Sequence, residues 1–560
     1  MTIGSLDPRK LYFLPLGGCG EIGMNLNLYG FGGKWIMVDL GVMFADDKLP
    51  GVDLILPDTD FIEERRGDLL AIVLTHAHED HFGAVAHLWP RLRCPIHATA
   101  FTAELLRSKL SEAGLLDEVP LHVVPLGGSI DLDPFEVAYV TLTHSILEPN
   151  ALAIKTQAGT VMHTGDWKLD PEPQLGEATD EARLKEFGDA GVLAMVCDST
   201  NVFVPGRSGS EAGVRTNLEA AIAKCKGRVA VTAFASNVAR LRTIALAGAV
   251  NDRHVVLVGR SIRRAVAAAR ATGYLADLPK LLDDDEAGYL PADKVLYICT
   301  GSQGEPRGAM ARIANGDHPH VTLGEGDSVI FSSRQIPGNE RAIYALYNQL
   351  VHCGVQVITE QDHAVHVSGH PCRDELADMY QWVRPQIAVP VHGEGRHLVE
   401  HAKFAKMLQV PTTIVPENGS LVELCRDGAR IVEQLSVDRL VVDGTRIVHS
   451  DGQAMVERRR LMYNGHISVS LAVDAKCRLL SEPRVTMMGV PWEGDSSEII
   501  IAVQQAIEAA LAGLGGKQAR SDDAVGETAR IAARRTCRLM TGKKPIAEVQ
   551  VIRLKVKPAT

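Results

Sequence analysis

No stretch of this 560-residue chain carries the roughly 18 consecutive apolar residues that a membrane-crossing helix needs. Its N-terminus, MTIGSLDPRKLYFLPLGG, likewise holds no apolar core long enough for a secretory signal. Cysteine is sparse and scattered: ten residues run from Cys19 to Cys537, and none forms a CxxC pair. That pattern excludes a disulfide framework and a thiolate zinc site, so a reduced, cytoplasmic setting without membrane attachment is expected. Each cysteine reads best as a small buried apolar residue. Internal repeats and low-complexity tracts are absent. Positive charge is in deficit, with 58 Lys and Arg against 69 Asp and Glu for a net charge of −11. This argues against nucleic acid only on average, because the field at a groove is local; a polyanionic substrate must be argued from a site.

What is present is globular. Hydrophobic residues make up 46% of the chain and charged residues 23%, and the length suggests roughly two to four domains. The first third consists of short apolar runs that end in polar loops: KWIMVDLG (34–41), LLAIVLT (69–75), TVMHT (160–164) and LAMVCD (193–198). These read as buried strands. From about residue 210 to 360, helical and strand patterns alternate, which implies a parallel sheet with crossover helices. After 360 the first texture returns, with IAVPVHGE (387–394) as a strand running into polar residues. The return of the texture suggests a division in which 209–357 is inserted between 1–208 and 358–448 as two parts of one domain, and only the site residues below can support it. A linker at 449–464 and an α+β tail at 465–560 complete it, the linker resting on the polar run DGQAMVERRR.

The strongest chemical signal is Thr75-His76-Ala77-His78-Glu79-Asp80-His81, directly after a strand-like run. Imidazole and carboxylate suit Zn²⁺ or a similar divalent ion. His76 and His78 can converge on one metal, while Asp80 and His81 face a second. His144 in TLTHSI, Asp166 in VMHTGDWKLD and His392 in AVPVHGE stand in similar strand-end settings. Each alone is more often structural, but together they complete two shells and leave one carboxylate to bridge.

On these residues the chain resembles the metallo-β-lactamase superfamily, whose HxHxDH loop and later His, Asp and His ligands match in order. Asp198 in CDSTN, His370 in HVSGH and His392 in PVHGE follow the motifs of the β-CASP nucleases. HTGDWKLDP, FASNVAR, TGSQGEP, IPGNE and PVHGEGRH narrow the resemblance to the bacterial ribonuclease J family. The fold it implies is a multidomain α/β and α+β chain: a metallo-β-lactamase αββα sandwich, an inserted parallel-sheet β-CASP domain and a small C-terminal α+β domain.

The resemblance implies two Zn²⁺ per subunit, with Mn²⁺ or Mg²⁺ as substitutes in activity. His76, His78 and His144 would hold one, Asp80, His81 and His392 the other, and Asp166 would bridge. Asp80, His370 and Asp198 are the implied catalytic residues, with His370 as acid or leaving-group stabiliser and Asp198 orienting it. Read from the residues alone, His370 is better taken as a buried hydrogen-bonding histidine and Asp198 as a turn residue.

Ser236 and Asn237 open a helix after the strand RVAVTAF, where backbone N–H groups can cradle an anion, although an ordinary crossover turn explains them nearly as well. The resemblance makes Ser236, Asn237, His366, Val367, Ser368, Gly369 and His370 the holders of a terminal 5′-monophosphate of RNA. The implied activity is 5′→3′ exonuclease plus endonuclease cleavage of RNA, in rRNA processing and mRNA decay. It would be carried out by a homodimer or homotetramer, with RNA-degradation or ribosome-associated proteins as partners. A small-molecule metallohydrolase and a non-catalytic RNA-binding partner are the alternatives. Arg260, Arg263, Arg264 and Arg270, with Arg458 to Arg460, either guide the strand or are solvated faces.

Overall fold

Residues 6–45, 48–336, 338–493 and 496–554 are described by the computed structural model. Pro337 of IPGNE, the first five residues and 555–560 of the expected α+β tail lie outside them. The chain divides into two compact units, one of residues 1–43 and 56–437, the other of 44–55 and 438–560.

In the first unit the apolar runs form two sheets. One has eight strands in the order Gly428–Gln434, Ser420–Cys425, Leu11–Gly17, Leu26–Phe31, Lys34–Val38, Leu69–Val73, Ile96–Ala98, Leu121–Val123. The other has seven: Ser129–Leu132, Phe135–Thr141, Asn150–Thr156, Gly159–His163, Ala194–Asp198, Ile387–Val391, Thr412–Thr413. Phe13, Tyr29, Ile36, Val38 and Val73 of the first pack with Tyr139, Leu152, Ile154, Val196 and Val389 of the second in one buried cluster. The outer face of the seven-stranded sheet carries Met162, Met195 and Ala388 against Leu376, Met379, Tyr380 and Phe404 from two helices, Arg373–Val383 and Gly395–Met407. Side chains buried this fully contribute ~1.5–3 kcal/mol each for Val, Leu, Ile or Phe, which fixes the register that aims the strand ends.

Ala194–Asp198 and Ile387–Val391 are parallel neighbours, so the chain leaves this sheet after Asp198 and returns beside it. Between them lies a six-stranded parallel sheet in the order Leu281–Asp283, His254–Val258, Val295–Cys299, Val229–Thr232, Ser328–Phe331, Gln356–Ile358. The alternation seen in sequence between 210 and 360 is this sheet with its crossover helices.

The second unit holds a hairpin, Arg439–Asp443 and Arg446–His449, in a four-stranded sheet, and a three-stranded sheet ordered Arg484–Met488, His466–Val473, Ile546–Arg553. The helices Ser497–Ala512 and Asp522–Thr541 supply Ile499, Val503, Ile507, Val525, Ala529 and Cys537 to its core. The apolar face of the first helix is therefore core. The stretch expected as a linker instead contains a helix, Gln453–Asn464, with Met455 buried. Its charges lie on a segment without Gly or Pro, rich in good helix formers, and the charge density conceals that propensity.

Candidate metal centre

The strand Leu69–Val73 ends at the ligand-rich loop, and His78 caps a single helical turn, Glu79–Phe82. Neighbouring backbone clamps this turn. Asn25 N–H donates to Asp80 O at 2.8 Å, Leu40 N–H to His81 O at 2.6 Å and Val42 N–H to Glu79 O at 2.9 Å. A Cβ on Gly41 would lie 1.7 Å from Asp80 O, so only glycine allows this approach. Asp39, at φ 62°, is the anchor beneath. Its Oδ1 accepts from Thr75 N–H at 2.8 Å, while Oδ2 lies 2.8 Å from Thr75 Oγ1 and 2.7 Å from His81 Nδ1. With its proton given to Asp39, the Thr75 hydroxyl accepts from His76 Nδ1–H at 2.9 Å, which leaves His76 Nε2 as a bare lone pair.

His144, Asp166 and His392 arrive from the ends of three strands of the second sheet. The ligand atoms of His76, His78, His144 and Asp166 all lie within 4.8 Å of one another, as do those of Asp80, His81, Asp166 and His392. Asp166 belongs to both groups. His78 Nδ1 is 3.2 Å from His76 Nε2 and 3.0 Å from His144 Nε2, and His81 Nε2 is 3.2 Å from Asp166 Oδ2. His392 Nε2 is buried and makes no hydrogen bond, with Asp80 Oδ2 3.4 Å away. Converging imidazole nitrogens and one orphaned ring nitrogen are the donor set a divalent cation satisfies.

The electrostatics separate the two groups. Burial, helped by the neighbouring rings, pushes His76 and His144 well below the ordinary histidine range and His78 down to about 4. Burial is the largest single effect and would lower His81 and His392 too, but the carboxylates together overcome it, Asp166 with Asp80 and Asp39 for His81 and Asp166 with Asp198 for His392, and both are raised. Asp166 itself is held well below the carboxylate range, because His392 and His81 overcome a burial effect of opposite sign.

Beside these groups His370 Nδ1 lies 2.8 Å from Asp198 Oδ2, and Asp166, Asp198, His370 and His392 form a third cluster of the same tightness. His144 Nδ1 is 2.5 Å from Gly369 O, and a Cβ on Gly369 would meet His144 Cε1 at 2.8 Å. The segment 366–370 is thus laid directly on the ligand shell. Asn201 Nδ2 donates to Ser368 Oγ at 2.8 Å and to His370 O at 3.0 Å. Ser368 Oγ also accepts from His370 N–H at 3.2 Å, which leaves its own proton for an outside acceptor. Ser236, His366, Val367 and Ser368 are half-buried, whereas Asn237 is buried and its carboxamide caps the helix Val238–Val250 through Arg240 N–H.

Four family models match the chain: a beta-lactamase superfamily domain over residues 50–187, the ribonuclease J beta-CASP domain over 226–350, a Zn-dependent metallo-hydrolase RNA specificity domain over 354–415, and the ribonuclease J C-terminal domain over 453–554. Ribonuclease J of Sinorhizobium meliloti is 45% identical over 551 residues, 98% of each chain. The chain belongs to the ribonuclease J family. Ribonuclease J of Synechocystis is 38% identical, covering 86% of this chain and 76% of its own length, and that of Thermus thermophilus is 35% identical over 82% and 81%. An Enterococcus faecalis protein of unknown function shares the fold, with a TM-score of 0.51 at 18% identity over 74% of this chain and all of its own. This ribonuclease J family member is a metal-dependent ribonuclease with a metallo-β-lactamase domain, a β-CASP domain and a C-terminal domain.

Several residues that build the site were not singled out in the sequence. Asp39 and Asn25 sit under the ligand loop, and Asn201 holds the 368–370 backbone. Glu375, fully buried, accepts from Leu169 N–H, Ser208 N–H, Ser208 Oγ–H and Cys372 N–H, and so ties together both crossings between the sandwich and the insertion. Asp39 carried one signal, a carboxylate at the end of an apolar strand. Three of the basic residues favour the solvated-face reading over strand guidance: Arg263 pairs with Asp283 and Asp284, Arg264 with Glu112 at 2.8 Å, and Arg458 with Asp443 at 2.7 Å. No helix among the described residues is long and apolar enough to cross a membrane.

Proposed function

We propose that this ribonuclease is a two-metal phosphodiesterase. It degrades RNA from a 5′-monophosphate end in the 5′→3′ direction and also cuts internally, serving RNA maturation and decay in the cytoplasm. The observation that carries this reading is Asp166, common to two ligand groups that are otherwise distinct. His76, His78 and His144 would hold one zinc ion, Asp80, His81 and His392 the other, with Asp166 between them. Two such ions, when bound, lower the pKa of a shared water and neutralise charge at the phosphodiester.

The chain's own groups do the rest. Asp39, through Thr75 and His81, holds the ligand loop in register. His370, with its Nδ1 side fixed by Asp198, presents Nε2 as the proton donor for the departing 3′-oxygen, so the products carry a 5′-phosphate and a 3′-hydroxyl. Ser236, Asn237, His366, Val367, Ser368 and Gly369 receive the terminal phosphate. Because Gly369 O contacts His144, a strand held by its end is placed at a fixed distance from the metal ligands. The inserted domain has no comparable use in a small-molecule hydrolase.

The test is cleavage of one RNA bearing a 5′-monophosphate, triphosphate or hydroxyl, by chelated enzyme and by enzyme reloaded with Zn²⁺ or Mn²⁺. Metal-dependent release of mononucleotides, fastest from the monophosphate, supports the whole reading. Internal cuts indifferent to the end group remove the phosphate pocket, and tight binding without cleavage removes the catalytic reading.

A further inference from the structure

A guanidinium lies buried behind the half-buried polar loop of the inserted domain. Arg240 is 1% exposed, and its Nε and Nη2 donate to Glu211 Oε2 and Oε1, both at 2.8 Å. Its Nη1 donates to Ser332 O at 2.9 Å, Ser332 Oγ at 2.8 Å and Val365 O at 3.2 Å, and lies 3.4 Å from His366 Nδ1. Ser332 Oγ passes its proton on to Val365 O at 2.7 Å. The backbone N–H of Arg240 closes the Asn237 cap, whose Nδ2 in turn reaches Glu211 Oε1 at 3.4 Å. One side chain thus touches the start of the insertion, the 236–237 loop, the end of the strand Ser328–Phe331 and the 365–366 segment.

A guanidinium is a donor with no acceptor capacity. The arrangement favours an unprotonated nitrogen on the side of His366 that faces it, and a neutral ring then carries its proton on Nε2. The other charged groups around His366 are Glu211, Arg334 and Lys168. Burial first, then Arg240, push His366 down to about 3 against the opposing pull of Glu211. The ring stays neutral through the physiological range, and an imidazolium facing a guanidinium is avoided.

We infer that Arg240 is a positioning residue for the RNA end: by occupying the Nδ1 side of His366 it fixes the Nε2–H tautomer and leaves that N–H as the ring's one donor to the terminal phosphate. The inference rests on the reading of the 236–237 and 366–369 segments as the phosphate pocket. It gives Glu211 a part as well, since an unpaired guanidinium could not be held there.

Substituting Arg240 alone would strand Glu211 as a buried unpaired charge, so the variant to make is Arg240→Gln with Glu211→Gln, which removes both charges together. Two readouts on the full-length, metal-loaded enzyme decide the matter. One is kcat/KM for 5′-monophosphate against 5′-hydroxyl RNA. The other is the ¹⁵N spectrum of histidine-labelled protein, with the His366 signals assigned from His366→Gln. The wild-type ring should show bare Nδ1 and protonated Nε2. In the double variant both tautomers should appear, and the monophosphate preference should fall by about tenfold through KM, the worth of one hydrogen bond to a charged group. A wild-type ring protonated at Nδ1 overturns the proposal. So does a preference that the double variant retains, or an equal loss on both RNAs with the tautomer unchanged. Absence of any end preference in the wild type removes the pocket reading itself, and the role of Arg240 falls with it.

Discussion

His370 Nδ1 and Asp198 Oδ2 stand 2.8 Å apart although 172 positions separate them in sequence. The Asp198 side chain is fully enclosed, while 23% of the His370 side chain stays open to solvent, so one partner fixes and the other can reach substrate. Burial alone would lower His370, but Asp198, then Asp166 and Asp80, raise it to about 9. A histidine raised by Asp198 keeps its proton, and can donate it, to a higher pH than an ordinary one, and loses the capacity as pH rises through its raised pKa. His370→Ala should lower kcat by about 10²–10⁴, as expected for loss of a general acid. Asp198→Asn should leave the ring in place and move the alkaline limb of the kcat/KM profile to lower pH. An unmoved limb would show that Asp198 does not set the proton affinity of His370.

Asp39 supports two candidate ligands and touches no substrate. Asp39→Ala takes the acceptor from Thr75 and His81 and frees the tautomer of both His81 and His76. Removal of such outer partners typically costs 10–100-fold in metal affinity. Zn²⁺ competition against a chelator of known affinity should show a weakening of about that size, while His370 variants keep wild-type affinity.

Glu375 is the common acceptor for Leu169, Ser208 and Cys372. Glu375→Ala would take the acceptor from three backbone donors, of which the Cys372 N–H is buried, at a cost of about 1–3 kcal/mol. Thermal unfolding should begin earlier, and limited proteolysis should open the chain near Ser208, where it enters the insertion. A melting curve unchanged from wild type would mean that the two crossings are held by other contacts.

How much of this was legible in the sequence follows from range. His76, His78, Asp80 and His81 lie within six residues after an apolar run, so both their chemistry and their placement are local. His144, Asp166 and His392 are also found at strand ends, because the sheet core marks where each strand stops. Asp39 looks like any strand-terminal carboxylate until the chain folds it against Thr75. Arg240 and Glu211 read as ordinary helix residues, since their pairing depends on two helices of the insertion meeting. The pairing of Arg263 and Arg264 is hidden in the sequence because Glu112 lies some 150 positions away and Asp283 and Asp284 some 20. Asn201 gives no sign of its role in the CDSTN run, because its partners Ser368 and His370 lie 167 and 169 positions away.

Those ion pairs decide what the helix Arg260–Ala271 does. Exposed pairs contribute little stability, about 0–1 kcal/mol each, but their cations are already neutralised and release few counterions on binding RNA. Arg263→Glu with Arg264→Glu should leave RNA Kd within about twofold and the slope of log Kd against log salt unaltered. A slope reduced by about 0.7 for each residue would instead make them phosphate contacts on single-stranded RNA.

The opposite electrostatics of the two ligand groups predict stepwise loading with metal. His76, His78 and His144 are neutral across the working range, because burial lowers all three, so a cation entering that group displaces no proton from them. His81 and His392 are raised by the carboxylates around them and hold protons above the ordinary histidine range in the cation-free protein. A cation at Asp80, His81 and His392 must expel those protons, so its affinity falls as pH drops. The carboxylate they share is ionised throughout, since Asp166 is held below its usual range. Dialysis against limiting free Zn²⁺ should therefore leave about one ion per chain at a pH below the ordinary histidine range and about two once the pH is raised well above it. His144→Gln should remove the ion retained at low pH, and His392→Gln the one gained on raising it. Titration should release protons mainly with the second equivalent. Loss of both ions together over one pH range would mean that a single coupled site, rather than two electrostatically distinct groups, takes up the metal.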